Sequence, residues 1–196
     1  MRSAQLDGWE WLGQPLALDL ANSLPRIRPG KTRDLLASDD DLDRWLASQA
    51  HRLPRVGHGS DRLAAFRELR DAVHEALSAA AAGDPLPRHA TQALNATSAR
   101  SQGHVRLRVG DGTAKAELAG SGTPLDRTLS TIARSAIELL ASPDRERLRI
   151  CSAPSCGFFF FGRPDQEWCS IPCGNRARAA RHYARRRSNT RSPSRD

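Results

Sequence analysis

The residues of this chain that could do chemistry are its four cysteines, which all lie in one short stretch near the C-terminal end. They are spaced Cys-x4-Cys-x12-Cys-x3-Cys, at positions Cys151, Cys156, Cys169 and Cys173. Two close pairs of soft ligands suit a tetrahedral Zn²⁺ ion, because the connector lets the second pair return to face the first. Disulfide bonds and a chance cluster are the alternatives. Four thiolates would leave the ion no open coordination position, so we expect one structural rather than catalytic Zn²⁺.

The N-terminal segment favours zinc over disulfides. Residues 1–7 read MRSAQLD and lack a hydrophobic signal core, so we expect a cytoplasmic protein. Disulfides are rare in that reducing compartment. The sequence also lacks an apolar run of the roughly 18 residues that a membrane span needs, so we expect no membrane partner. His182, nine residues past Cys173, is an alternative metal ligand.

The net charge of +8 is concentrated at the C-terminal end. Residues 174–196 hold eight arginines and one acidic side chain, whereas the other 173 residues hold 22 basic and 21 acidic side chains. A localised basic segment can bind nucleic acid, an anionic membrane surface or an acidic protein. Lys31 and Lys115 are the only lysines. A GC-rich genome explains arginine over lysine but not the clustering, and arginine suits phosphate and guanine recognition.

The basic segment predicts a two-faced helix over about residues 175–187. Its small apolar stripe is formed by Ala177, Ala180 and Ala184. A second stripe is formed by Arg178, Arg181, His182 and Arg185, which have the i, i+3, i+4, i+7 spacing of one helix face. This stripe can face a phosphate backbone. The residues that we predict to bind nucleic acid are Arg176, Arg178, Arg181, His182, Arg185, Arg186 and Arg187. From Ser188 onward, including the tail 189–196, we predict disorder. The alternative is a solvated helix with a solubilising tail.

The rest of the chain predicts an α+β fold that is predominantly helical. Apolar residues recur at helical spacing in residues 14–24, after Ser38, from Ser60 to Gly83, over 88–99, and from Thr123 to Ser142. Residues 105–109 and 114–118 alternate around a Gly-Asp-Gly turn, which predicts a β-hairpin. Short strands are predicted on both sides of the first cysteine pair. Trp168 and the four phenylalanines of residues 158–161 can cover the metal site, and the alternative is that they only form the core of the small module.

Three segments carry a resemblance to two known families. Residues 168–182 read WCSIPCGNRARAARH and resemble the signature of the CGNR zinc-finger family. Residues 18–23, LDLANS, and 33–36, RDLL, resemble the ABATE domain that normally precedes this finger. The resemblance implies an ABATE-like α/β domain over 1–142, with a ligand-sensing role. It further implies a small treble-clef or ribbon-like zinc finger over 146–188 that ends in the basic helix.

The resemblance also implies roles for single residues. The four cysteines become the zinc ligands, and Arg176, Arg178 and Arg181 become DNA contacts. A ligand pocket would lie near a set of polar residues of the first domain, for which capping and surface hydrogen bonding are the alternative: Asp19, Asn22, Ser23, Arg33 and Asp34. The chain departs from the family pattern in two places. Its second cysteine pair is one residue shorter, with Pro172 between the cysteines, and residues 162–165 are atypically polar.

The resemblance implies a bacterial transcription regulator, which we expect to bind DNA through its finger. The sequence shows no nucleophile–base set and no glycine-rich phosphate loop, so we predict that it is not an enzyme. Two alternatives stay open: an RNA- or ribosome-associated zinc protein, and a protein-interaction module held by zinc. A homodimer would suit a regulator, although no pattern in the sequence specifies one. The resemblance suggests a small-molecule effector without identifying it.

Overall fold

A computed structural model describes residues 13–28, 31–110 and 113–189 of the chain. The described residues up to Ala141, here called the body, are built around five α-helices, and the described residues after Ala141 end in a sixth. The helices are α1 Leu16–Ala21, α2 Asp39–Ser48, α3 Arg62–Ala82, α4 Arg88–Ala99, α5 Pro124–Ala141 and α6 Ile171–Asn189. The strands are β1 Arg26–Arg28, β2 Lys31–Thr32, β3 Gly103–Gly110, β4 Thr113–Gly120, β5 Leu148–Ile150 and β6 Phe159–Phe161. The strands form three antiparallel pairs in chain order, which confirms the mainly helical α+β prediction.

Local capping fixes several helix ends where the sequence predicts them. The hydroxyl groups of Ser38 and Thr123 accept hydrogen bonds from the backbone N–H groups three residues on, and Asp41 and Asp126 complete the two capping boxes. Gly83 ends α3 in the left-handed conformation, with a φ of 77°, which glycine adopts without steric cost. These ends therefore follow from nearest-neighbour chemistry.

The core of the body surrounds α1. Every residue of Leu16–Ala21 is buried because α3 and α5 both pack against this short helix. Trp45 and Phe66 meet edge to face at 5.9 Å and are fully buried beside it. The helix ends at Ala21, short of the predicted residue 24.

The predicted hairpin is present, but two of its apolar side chains are exposed. β3 and β4 pair along their full length, with Leu107 opposite Ala116 and Val109 opposite Ala114. Leu107 is 71% exposed and Val109 is 75% exposed. Alternation therefore identifies the strands correctly without indicating which face the body covers.

The C-terminal module shares the core of the body. Leu148 of β5 and Phe159 of β6 are buried in the same cluster as the body helices. The ring of His74, on α3, meets the ring of Phe159 edge to face at 5.0 Å. A second, smaller cluster around the cysteines contains Phe160 and Ala177. The hairpin of β5 and β6 therefore belongs to both parts of the molecule.

Candidate metal centre and nucleic-acid interface

The four cysteine sulfurs form a cluster with the dimensions of a zinc site. The Sγ atoms of Cys151, Cys156, Cys169 and Cys173 all lie within 4.8 Å of one another. The Sγ atom of Cys169 is 3.7 Å from that of Cys156 and 3.5 Å from that of Cys173. A tetrahedron with Zn–S bonds of about 2.3 Å has sulfurs about 3.8 Å apart. The geometry fits one structural Zn²⁺ with four thiolate ligands.

A tight turn over residues 151–157, here called the first cysteine turn, supplies the first pair of ligands. It follows β5 directly, and the N–H of Cys151 donates to the carbonyl of Phe158 at 2.9 Å. Ser155 and Gly157 both adopt positive φ, at 61° and 76°. Two left-handed residues this close reverse the chain sharply, so that both cysteine side chains point to one side.

The second pair of ligands is placed by the start of α6. The helix begins at Ile171, four residues earlier than predicted, so Cys173 lies in its first turn. Proline is tolerated in a first turn, because its missing N–H would have had no intrahelical partner. Pro172 therefore sits in the helix rather than in a loop. Cys169 lies two residues before the helix, and the N–H of Cys173 donates to the Oγ of Ser170 at 3.4 Å, so the short spacing between the two cysteines is spanned by the start of the helix.

Hydrogen bonds and charge both favour a bound cation at this cluster. The backbone N–H of Cys169 donates to the Sγ of Cys151 at 3.4 Å. Hydrogen bonds from the neighbouring thiols of Cys156 and Cys169 lower the pKa of Cys151, while the same contact with Cys151 raises the pKa of Cys156. Four crowded sulfurs cannot all ionise unless a cation compensates their charge, which is the role of Zn²⁺.

The alternatives to a four-cysteine site do not fit the structure. All four cysteines are free thiols, and they form a group without histidine. His182 is exposed on α6, where its ring lies 6.1 Å from that of Tyr183. The alternative of His182 as a ligand is therefore wrong.

The aromatic cover of the site is smaller than the sequence allows. Phe158, Phe160 and Trp168 pack in the cysteine cluster, whereas Phe159 and Phe161 pack in the core of the body. Successive side chains of a strand point to opposite faces, so a run of four phenylalanines serves two cores. Phe159 and Phe161 therefore do not cover the metal site.

The basic helix projects from the metal site. Ala177 is buried against the cysteine cluster, and every residue from 178 to 187 is exposed. Ala180 and Ala184, the other members of the apolar stripe, line an open groove of about 350 Å³ between the first cysteine turn and α6. The helix continues to Asn189, beyond its predicted end at about residue 187. Residues 190–196 lie outside the described part of the chain.

Two arginines of the helix are held against an aromatic ring. The guanidinium groups of Arg178 and Arg181 lie 5.6 Å and 5.4 Å from the ring centre of Trp168. Arg178 also donates to the Oδ1 of Asn175 at 2.6 Å. Arg185, Arg186 and Arg187 follow as exposed residues of the last turns. The structure thus places all seven predicted nucleic-acid residues on α6, although Arg176 has different contacts, described below.

The first predicted pocket residue, Asp19, is a buried structural carboxylate. It accepts hydrogen bonds from the backbone of Gly13 and Gln14, and from the side chains of Gln49 and Arg52. Its closest partner is the Nη1 of Arg52 at 2.9 Å. Burial raises the pKa of Asp19 to about 6, although these donors act in the opposite direction.

The other predicted pocket residues have separate partners. The Asn22 side chain is buried against Phe159, and the Ser23 hydroxyl donates to the carbonyl of Leu20 at 2.6 Å. Asp34 accepts a two-pronged ion pair from Arg70, which holds the loop before α2 on α3. Arg33 is exposed. None of Asp19, Asn22 and Arg33 lines the groove beside α6 described above.

A hollow of about 650 Å³ lies elsewhere, at the C-terminal ends of α3 and α5. No pattern in the sequence indicates this hollow. Its lining consists of residues 80–83, Leu140, Ala141, Ser142, Arg145, Glu146 and Arg149. The three predicted pocket residues are not part of that lining.

The described structure defines a class of protein: a zinc-finger protein whose four-cysteine module is docked on a helical body and ends in an exposed arginine-rich helix. Comparison with family models agrees with this architecture. Residues 14–143 match the ABATE model, described as "Putative stress-induced transcription regulator", and residues 147–186 match the CGNR zinc finger. The chain therefore belongs to the ABATE family and carries a CGNR zinc finger. No curated protein matches it. Across the described ranges, every helix is too short or too polar to cross a membrane.

Proposed function

We propose that this protein is a regulator that binds duplex DNA through α6. The observation that carries the proposal is the junction at Cys173, where a ligand of the metal site is also part of the first turn of the basic helix. A bound Zn²⁺ would hold the start of α6, and the arginines beyond Ala177 would extend from that fixed point. An arginine cluster placed on a rigid element suits a binding surface better than a solubilising tail.

The dimensions of the helix support duplex DNA. With 19 residues, α6 is about 28 Å long, and the major groove of B-DNA is about 12 Å wide and admits an α-helix. Arg178, Arg181 and Arg185 follow each other at i, i+3 and i+7, so they lie along one face. Phosphate contacts by these residues would position the helix, and contacts of the same type to guanine would add sequence preference.

A test of the proposal is the salt dependence of binding to duplex DNA. If about five arginines contact phosphates, log K should fall with log salt at a slope of about −4 to −5. Replacing Arg178, Arg181 and Arg185 together by alanine should reduce the magnitude of that slope by about 3. The matched control replaces Arg33, Arg88 and Arg163, which are exposed outside α6 and carry the same total charge. Equal slopes for the two triple variants would contradict the proposal.

Two further binding experiments separate the alternative functions. An RNA- or ribosome-associated protein would bind structured RNA in preference to duplex DNA in direct competition. A protein-interaction module would bind its partner whether or not α6 carries its arginines, because the zinc-held surface would be the docking site. The first result would make RNA the ligand in place of duplex DNA, and the second would make it a protein.

Sensing by the body is a separate part of the proposal. We infer that the body positions the finger and that an effector, if one acts, changes how the finger is held. A thermal shift of the full chain on addition of candidate metabolites, with a parallel change in DNA affinity, would support sensing. A homodimer, the cytoplasmic location, the bacterial origin and the lack of enzymatic activity stay predictions.

A further inference from the structure

Arg176 has contacts unlike those of the other arginines of α6. Its Nε–H donates to the carbonyl oxygen of Pro154 at 3.1 Å, and its Nη2–H donates to the Sγ of Cys173 at 3.1 Å. Pro154 lies in the first cysteine turn, between Cys151 and Cys156. One guanidinium group therefore bridges the turn that carries the first pair of ligands and the helix that carries the last one.

The position of Arg176 on the helix also separates it from the proposed DNA face. Two residues advance an α-helix by about 200°, so Arg176 and Arg178 lie on nearly opposite flanks of α6. The guanidinium groups of Arg178 and Arg181 lie over the ring of Trp168, whereas that of Arg176 reaches Pro154 and Cys173. Two of the N–H donors of Arg176 are directed into the zinc module rather than along the exposed stripe.

The negative charge of the zinc site explains how this bridge would stabilise it. Four thiolates and one Zn²⁺ carry a net charge of −2, and Cys151, Cys156 and Cys173 are buried. A hydrogen bond from a charged donor to a buried sulfur partly compensates that charge and orients the ligand. Groups that hold a metal ligand in this way typically change metal affinity about 10–100-fold when they are removed.

We propose that Arg176 is a positioning residue of the zinc site, which it holds by clamping the Cys173 sulfur to the first cysteine turn, and that it does not contact DNA phosphate. The zinc part of this inference is independent of the proposed function. The DNA part of the inference rests on the proposed function. Sequence reasoning grouped Arg176 with the DNA contacts because all the arginines of the segment look alike in the chain.

The zinc part is tested on the full chain by the rate at which Zn²⁺ passes to a chelating dye. Arg176→Ala should release Zn²⁺ about 10–100-fold faster than the wild type. Arg176→Lys keeps the charge but lacks the planar fork that reaches both acceptors, so its rate should be intermediate. The control, Arg178→Ala, removes an arginine whose contacts are Asn175 and Trp168, and it should release Zn²⁺ at the wild-type rate.

Cobalt substitution gives a second readout that does not depend on folding of the body. The Co²⁺–thiolate absorption bands should shift in Arg176→Ala and stay unchanged in Arg178→Ala. If Arg176→Ala holds no metal while its body melts normally, the clamp is stronger than inferred and the proposal stands. Wild-type release rates and unchanged bands in Arg176→Ala would overturn it.

The DNA part is tested at saturating Zn²⁺. Arg176→Ala should keep the wild-type salt slope, whereas loss of a phosphate contact would reduce the slope by about 0.9. A reduction equal to that of Arg178→Ala would return Arg176 to the DNA contacts. If the wild type binds no DNA, the proposed function fails and the zinc measurements still decide the role of Arg176.

Discussion

The side-chain amide of Asn22 pairs with the backbone of Phe159 across 137 positions of the chain. The Nδ2–H of Asn22 donates to the carbonyl of Phe159 at 3.1 Å, and the N–H of Phe159 donates to the Oδ1 of Asn22 at 2.7 Å. Both hydrogen bonds are buried. Asn22 thus satisfies both backbone groups of a residue in β6, as a neighbouring strand would. The zinc finger is held on the body by this pair and by the Phe159 ring.

Replacing Asn22 by alanine should loosen this attachment. The change leaves the N–H and the carbonyl of Phe159 buried without partners, which should cost about 2–4 kcal/mol of unfolding free energy. Denaturant unfolding measures the loss, and hydrogen exchange of the Phe159 amide shows whether it is local. Asn95→Ala, at an exposed position of α4, is the matched control and should change stability by less than about 0.5 kcal/mol. Similar losses in both variants would contradict the role of Asn22.

Gly157 is required at the contact between the first cysteine turn and β1. A Cβ atom added at Gly157 would collide with the backbone of Arg26, and its φ of 76° is in the left-handed region. Gly83 has nearly the same φ, 77°, with open space around it. Gly83→Ala should therefore lower the free energy of unfolding by about 1 kcal/mol, because of the backbone conformation alone. Gly157→Ala should lower the free energy of unfolding by several kcal/mol more, because it also displaces the finger.

Thermal unfolding of these two glycine variants, with Gly59→Ala as a baseline at an open position without positive φ, separates the two effects. Equal melting temperatures for Gly83→Ala and Gly157→Ala would mean that the finger does not pack on β1 in solution.

Asp19 should give the body a characteristic pH dependence. Burial raises the pKa of Asp19 to about 6 from 3.8, so the folded state holds the proton more tightly than the unfolded state. The contribution of Asp19 to unfolding free energy should therefore increase as the pH falls from about 7 to about 4, by up to about 3 kcal/mol.

The measurement is a comparison of wild type and Asp19→Asn, since both share every other titrating group. The stability of the wild type relative to the variant should rise as the pH falls through this window. The carboxyl ¹³C shift of Asp19 should titrate near pH 6. A midpoint near 4 with parallel pH profiles would contradict the buried, neutralisable carboxylate.

Removing the metal should unfold the finger but leave the body folded. The cysteine cluster depends on the ion, whereas Leu148 and Phe159 are buried among body helices. Chelation should lower helical circular dichroism by part of the contribution of α6 and change the emission of Trp168. The cooperative transition of the body should remain. Loss of all cooperative unfolding, or no spectral change, would show that the two parts are not coupled in this way.

Local chemistry in the sequence predicted much of the fold. Ser38 and Thr123 identify helix starts because a hydroxyl and a carboxylate three residues apart are sufficient for a capping box. The four cysteines identify the metal site because their types and spacing suffice. The start of α6 was missed because Pro172 suggests a turn, although a first helical turn accepts proline equally well.

Contacts between distant residues could not be predicted in the same way. Nothing near Asn22 in the sequence indicates that its amide completes a strand 137 positions away, so the family resemblance suggested a ligand role instead. The run of four phenylalanines does not show that alternate rings serve different cores. Arg176 differs from its neighbours through Pro154, which folding alone brings into reach.

The most direct test of the central claim, that the zinc site holds α6 for DNA binding, is genomic footprinting of the wild type beside Cys169→Ser. Cys169 lies in the metal site and outside α6, so this substitution removes a ligand without altering an arginine. We predict discrete protected sites for the wild type that disappear in Cys169→Ser while the body still unfolds cooperatively. Footprints that persist in the variant, or that are absent from both proteins, would contradict the claim.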